Sequence, residues 1–181
     1  MNFRTTLIYS SFLIFVCFTN FLSAQTTGSR NITINLSEVA LLDIEPNVNT
    51  ISFNFTAPTE AGLPILTPAA NTTKWLNYTS AKANATANRN VTAQINQTCP
   101  GITIKLQAGP ATGGGGTLGI STGQKSLTTT AQTIINGIGG AFTGNGANNG
   151  HQLTISTEIT NYTQLVQTNN QTITITYTIS N

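Results

Sequence analysis

The run from Gln171 to Ser180 reads Gln-Thr-Ile-Thr-Ile-Thr-Tyr-Thr-Ile-Ser. Ile173, Ile175, Tyr177 and Ile179 fall on one side of an extended chain, and Thr172, Thr174, Thr176 and Thr178 on the other, a strict period of two. β-branched residues stiffen both faces, and nothing in the run favours a helix. The stretch is therefore a β-strand with one face made for a core, the edge or closing strand of a sheet.

The same alternation recurs upstream. Ile32, Ile34 and Leu36 alternate with Asn31, Thr33 and Asn35. A second apolar piece, Val39 to Ile44, stops before Pro46, whose missing N–H ends a ladder. Ile51, Phe53 and Phe55 predict a strand over Thr50 to Thr56, and Trp75, Leu76 and Tyr78 a central, aromatic-rich one over Lys74 to Thr79. Val91, Ala93 and Ile95 make another, and Ile102, Ile104 and Leu106 the next; the turn signal Thr98-Cys99-Pro100-Gly101 between these two predicts a hairpin. Leu127 to Ile138 fits either a strand or a helical turn, and His151 to Thr160 reads as a strand. Pro58, Gly62, Pro64 and Pro68 mark a long loop, Gly113 to Gly116 a mobile glycine loop, and Phe142 to Gly150 a glycine and asparagine loop. Roughly eight or nine short strands and no strong helix give an all-β fold, a sandwich of two antiparallel sheets, with a closed barrel as the alternative.

The N-terminus has the layout of a cleavable secretory signal over residues 1–24. Arg4 precedes an apolar run from Leu7 to Phe18, and Ser23-Ala24 supplies small residues before Gln25. The expected product is an exported, extracellular or surface protein with one domain over residues 25–181. Cleavage removes Cys17 and leaves Cys99 alone, so the fold is held by packing and not by internal disulfides. Seven basic residues stand against five acidic ones; without Arg4 the count is six against five, a net charge of +1. That balance lacks the clustered Lys and Arg that nucleic acid or an anionic membrane requires.

Candidate sites read more simply as structure. Asn-x-Ser/Thr triplets recur from Asn31-Ile32-Thr33 to Asn170-Gln171-Thr172, which alternation on Asn- and Thr-rich strands produces without any glycan. Gly144-Asn145-Gly146 and Gly150 lack the spacing of a nucleotide loop, and the nearby Asn145, Asn148 and Asn149 bring no carboxylate for calcium. His151 is the only histidine, which leaves no histidine-built metal site, and no motif around Cys99 marks it as a nucleophile with His151 as its base. Asp43 and Glu45 share a strand face, as an acid and base pair would, but have no second acidic cluster or sugar platform beside them. No catalytic site, cofactor or metal is expected.

Several motifs carry a resemblance: Leu-Leu-Asp-Ile-Glu-Pro over 41–46, the glycine-proline loop, Trp-Leu-Asn-Tyr-Thr-Ser over 75–80, Thr-Gly-Asn-Gly-Ala-Asn-Asn-Gly-His over 143–151, and the alternating last strand. In this order the chain resembles small secreted bacterial proteins of unassigned function, which are similar to spore-coat-U-like and alpha-class fimbrial subunits. The resemblance implies an immunoglobulin-like sandwich exported from a Gram-negative cell and self-assembly by β-strand addition; export, an uncharged polar surface and the lack of a catalytic constellation give the expectation of a structural or adhesive surface role. On that reading Ile32, Ile34 and Leu36 are the exchanged strand, and Ile173, Ile175, Tyr177 and Ile179 line the groove or close the sheet. The chain departs from the pilin pattern in having no long arm before Asn31 and no disulfide. The alternative expectation is a soluble extracellular glycan-binding module, with Trp75, Tyr78 or Tyr162 stacking on a sugar face.

Overall fold

The computed structural model describes residues 27–48 and 50–181; the segment 1–24, expected to be a secretory signal, lies outside the described residues. The chain divides into Met1–Asn35 and the compact unit Leu36–Asn181. In the first unit, the described residues 27–35 form no strand, and Ile32 and Ile34 are 85% and 84% exposed. The expected strand over Asn31 to Leu36 is thus an unpaired segment, because period two supplies an apolar face but no ladder partner.

The compact unit is nearly all β. Its strands are β1 (Val39–Glu45), β2 (Asn71–Ala81), β3 (Arg89–Ile95), β4 (Ile102–Thr112), β5 (Gly115–Ser121), β6 (Lys125–Ser126), β7 (Gln132–Phe142), β8 (Gly150–Ile159) and β9 (Ile175–Ser180), with one 3-10 turn at Tyr162–Gln164. All pairings are antiparallel and run β6-β4-β8-β2-β7-β3-β9, with β1 also paired to β2 and β5 to β7. β2 gives Asn71 to Leu76 to β8, and only Thr79 and Ser80 to β7. The ladder therefore has two branches, β1-β2-β8-β4-β6 and β5-β7-β3-β9, joined by that short contact. Both branches feed one core: Leu76, Leu106 and Leu153 from the first, and Val91, Ile134, Ile135 and Ile138 from the second, all fully buried. This architecture is compatible with the expected sandwich.

Local expectations fail where partners decide. Thr50 to Thr56 keeps its alternation, with Ile51 and Phe53 half-buried against the core, yet it forms only a bridge from Thr56 to Leu66. The turn at Cys99 to Gly101 exists, with the Ile102 N–H donating to the Cys99 carbonyl at 3.1 Å. It makes no hairpin, because β3 pairs with β7 and β9 while β4 pairs with β6 and β8. The glycine tract is half strand: Gly115 and Gly116 pair with Phe142 and Ala141 of β7. Gly114 has φ +68, and a Cβ there would meet the Phe142 carbonyl oxygen, so glycine permits a close approach of backbones and not a mobile loop. The ambiguous region Leu127 to Ile138 resolves into the buried Leu127, a turn and β7, and the last strand starts at Ile175. A bulge in β7 turns both Ile134 and Ile135 inward, a pattern that mimics helical periodicity in the sequence.

Candidate functional site

β1 and β9, like β5 and β6, each pair on one side only, and they stand on either side of a shared opening. β1 pairs with β2 from Val39↔Ala81 to Glu45↔Trp75, and β9 with β3 from Asn90↔Ser180 to Ile95↔Ile175; neither has a second partner among the described residues. Their inward residues, Leu42 and Ile44 on β1 and Ile175, Tyr177 and Ile179 on β9, are only half-buried against the core, as is Ile173 just before β9. A fully flanked strand would bury that face. Between the two strands lies a cavity of about 400 Å³ lined by Leu42, Asp43, Ile44, Pro46, Asn47, Lys74 and Tyr177. Burial pushes the Tyr177 hydroxyl well above the usual phenol range, so the ring presents a neutral group there.

Cations fix both ends of this opening. At one end Arg89, only 4% exposed, is in phase with the inward Val91 and Ala93. Its Nη1 donates to the Val39 carbonyl at 2.7 Å, the Ser80 hydroxyl at 2.9 Å and the Ala81 carbonyl at 3.1 Å, and its Nε donates to Asn181 Oδ1 at 3.0 Å. It thus ties the start of β1, the end of β2 and the residue after β9 together. Nη2 meets Glu38 Oε2 at 3.3 Å, and the other Glu38 oxygen accepts from the Ala83 N–H and the Thr86 hydroxyl, both at 2.7 Å. The Ala83 N–H above all, then Thr86, with Arg89 and Lys82 adding charge, holds the Glu38 carboxyl below its ordinary value. At the other end the buried Lys74 donates to the Pro46 and Val48 carbonyls at 2.6 and 2.7 Å.

Sequence reasoning did not single out Arg89, Glu38 or Lys74, although a signal existed. Lys74 keeps phase with Leu76 and Tyr78, and Arg89 with Val91, so each is a cation at a core position of its strand.

The other sequence candidates scatter. His151 is fully buried, its Nε2 3.0 Å from the Tyr78 hydroxyl and its Nδ1 2.8 Å from the Gly109 carbonyl, so both nitrogens are engaged away from Cys99. Tyr78 also donates to the Leu118 carbonyl. Cys99 is half-exposed, and burial raises its thiol pKa, which suppresses the thiolate. Asp43 and Glu45 sit on β1 opposite Asn77 and Trp75, and Asp43 Oδ1 accepts from the neighbouring Ile44 N–H at 2.7 Å. Among the described residues no group of three or more His, Cys, Asp or Glu is placed to hold a metal ion, and no helix is long and apolar enough to cross a membrane. The three rings form no common platform. Tyr78 is 3% exposed, Trp75 is half-buried on the opposite face of β2, and the exposed Tyr162 accepts from the Ile65 N–H in a distant loop.

The molecule is an antiparallel all-β protein with an opening of mixed apolar and polar lining between two of its edge strands. No family model, curated protein or solved structure matches the chain.

Proposed function

We propose that this chain is an exported surface protein of structural or adhesive type, a fimbrial-type subunit whose copies join by β-strand addition. Asn31 to Leu36 of one molecule lies beside β9 of another, and Ile32, Ile34 and Leu36 fill the half-open apolar face of Leu42, Ile44, Ile175 and Tyr177. One observation carries this reading: Leu36, like Ile32 and Ile34, is more than four-fifths exposed on an unpaired segment, while two edge strands leave apolar side chains half-covered. Exposed alternating apolar residues and an open sheet edge are the two halves of a strand-addition contact. At about 3.3 Å per residue, six residues span roughly 20 Å, the length of the six-residue β9.

Size analysis of the mature chain from Gln25, and of a chain starting at Ser37, tests the proposal. The longer chain should form multimers and the shorter a folded monomer that binds a peptide of residues 31–36. A monomeric longer chain at high concentration, or multimers that survive the truncation, would refute it.

A further inference from the structure

A second opening is lined by polar residues, and we infer that it binds an acidic saccharide, one whose hydroxyls are accompanied by a carboxylate. The cavity measures about 490 Å³ and is lined by Asn90, Thr122, Lys125, Gln132, Thr133 and Asn136. It is an open surface depression, and its lining comprises three amides, two hydroxyls and one ammonium, with no aromatic ring or carboxylate.

The fold builds this lining deliberately across one strand. Thr92 faces Thr133 in the β3–β7 register and Val91 faces Ile135, so the extra residue Ile134 is a bulge. The bulge sends Ile134 and Ile135 into the core and leaves Thr133 and Asn136 towards the cavity. Asn90 on β3 forms one wall. The opposite wall is the turn from β5 to β6, held by the Thr122 N–H donating to the Ile134 carbonyl at 2.9 Å and the Thr122 hydroxyl to the Thr133 carbonyl at 2.6 Å. Gln132 Nε2 donates to the Ser126 carbonyl at 2.9 Å and to the Thr128 hydroxyl at 3.2 Å, which fixes β6, and hence Lys125, beside β7.

Those bonds leave a defined set of groups for a ligand. The Gln132 nitrogen is used and its carbonyl oxygen remains; Thr122 has given its proton and keeps its lone pairs. Asn90 and Asn136 each offer an adjacent donor and acceptor, the pairing that two neighbouring sugar hydroxyls satisfy. The ion pairs among the described residues are Arg89–Glu38 and Lys105–Glu158, so the Lys125 ammonium pairs with no carboxylate among them. A carboxylate on the ligand completes it with a charge-assisted bond. A neutral sugar would leave that ammonium to water, and a simple anion would leave the amides unused.

The test titrates the mature protein with tetragalacturonate, cellotetraose and acetate, following side-chain amide NMR signals and the heat of binding. Tetragalacturonate should bind saturably and shift the Asn90, Gln132 and Asn136 amides, with cellotetraose several-fold weaker. Asn136→Ala and Lys125→Gln, at an exposed and a half-exposed position, should keep the wild-type circular dichroism and each weaken binding about fivefold or more. Four results overturn the inference: no saturable binding of tetragalacturonate up to about 10 mM, cellotetraose binding as tightly, acetate producing the same shifts, or both variants binding like wild type.

Discussion

Replacing Arg89 with alanine removes the one side chain that joins the start of β1 to the residue after β9. The buried guanidinium holds the Val39 and Ala81 carbonyls and the Ser80 hydroxyl through Nη1, and Asn181 through Nε. A hydrogen bond from a charged donor contributes about 1.5–3 kcal/mol, but Val39 and Ala81 are half-buried and regain some bonding to water. Glu38, with 43% of its side chain exposed, adds little beyond this. The expected loss is about 3 kcal/mol, a large part of the roughly 5–15 kcal/mol that stabilises a domain. For a chain of this size it lowers the melting temperature by roughly 6–12 °C. Urea and thermal unfolding followed by circular dichroism measure the loss, and amide exchange locates it: β1 and β9 should open before β4 and β8. Arg89→Lys keeps the charge but not the planar fork, and should recover less than half. A loss under about 1 kcal/mol, with β1 and β9 exchanging at wild-type rates, would refute the account of Arg89 as the tie between them.

Glu38 makes stability depend on acid. Its folded pKa lies below the unfolded value, so its contribution is complete above the ordinary 4.5 and is lost as pH falls through the folded value. Glu38→Gln should flatten the pH dependence of urea unfolding in that window. Gly114→Ala should cost roughly 2 kcal/mol, because φ is positive and the new methyl meets the Phe142 carbonyl, whereas Gly140→Ala, with open space around it, should be close to neutral in the same melt. Alkylation of Cys99 should be slower at pH 7 than that of an unstructured thiol peptide, and its rate should keep climbing above pH 9.0, because burial raises its pKa. Equal rates at pH 7 would mean that the thiol is not sheltered.

Legibility in the sequence followed the range of the physics involved. Strands with a buried face were plain, since Ile175, Tyr177 and Ile179 or Val91, Ala93 and Ile95 announce their phase within a few residues. Pairing was not, because it is set by residues far apart. Thr50 to Thr56 alternates as well as β3 does and yet has no ladder, and the Cys99 turn sends the chain to the other branch instead of back along β3. Gly115 and Gly116 read as mobile because their pairing depends on a strand about 25 residues later, whose backbone Gly116 approaches too closely for any side chain. The polar cavity was hidden for a related reason. Asn90, Lys125 and Asn136 look like ordinary surface residues until a bulge and the turn from β5 to β6 bring them to one place.

The two strands that flank the β1–β9 opening are not equivalent as edges. Exposed edges that must not pair usually carry charges or proline, because an inserted charge cannot be matched by a neighbouring strand and proline lacks the N–H. β1 has both protections: Asp43 and Glu45 lie in it and Pro46 follows it. β9 has neither, being Ile-Thr-Tyr-Thr-Ile-Ser without a charge or proline. Arg89 also anchors Val39 of β1 directly, but reaches the β9 end only through Asn181. An added strand should therefore form its ladder with β9 and touch β1 through side chains alone. Adding a peptide of residues 31–36 to the chain that starts at Ser37 should slow amide exchange at Ile175 to Ser180 and leave Val39 to Glu45 nearly unchanged. Protection confined to β1 would reverse the assignment of the pairing edge, and protection on neither would remove the ladder from the proposed contact.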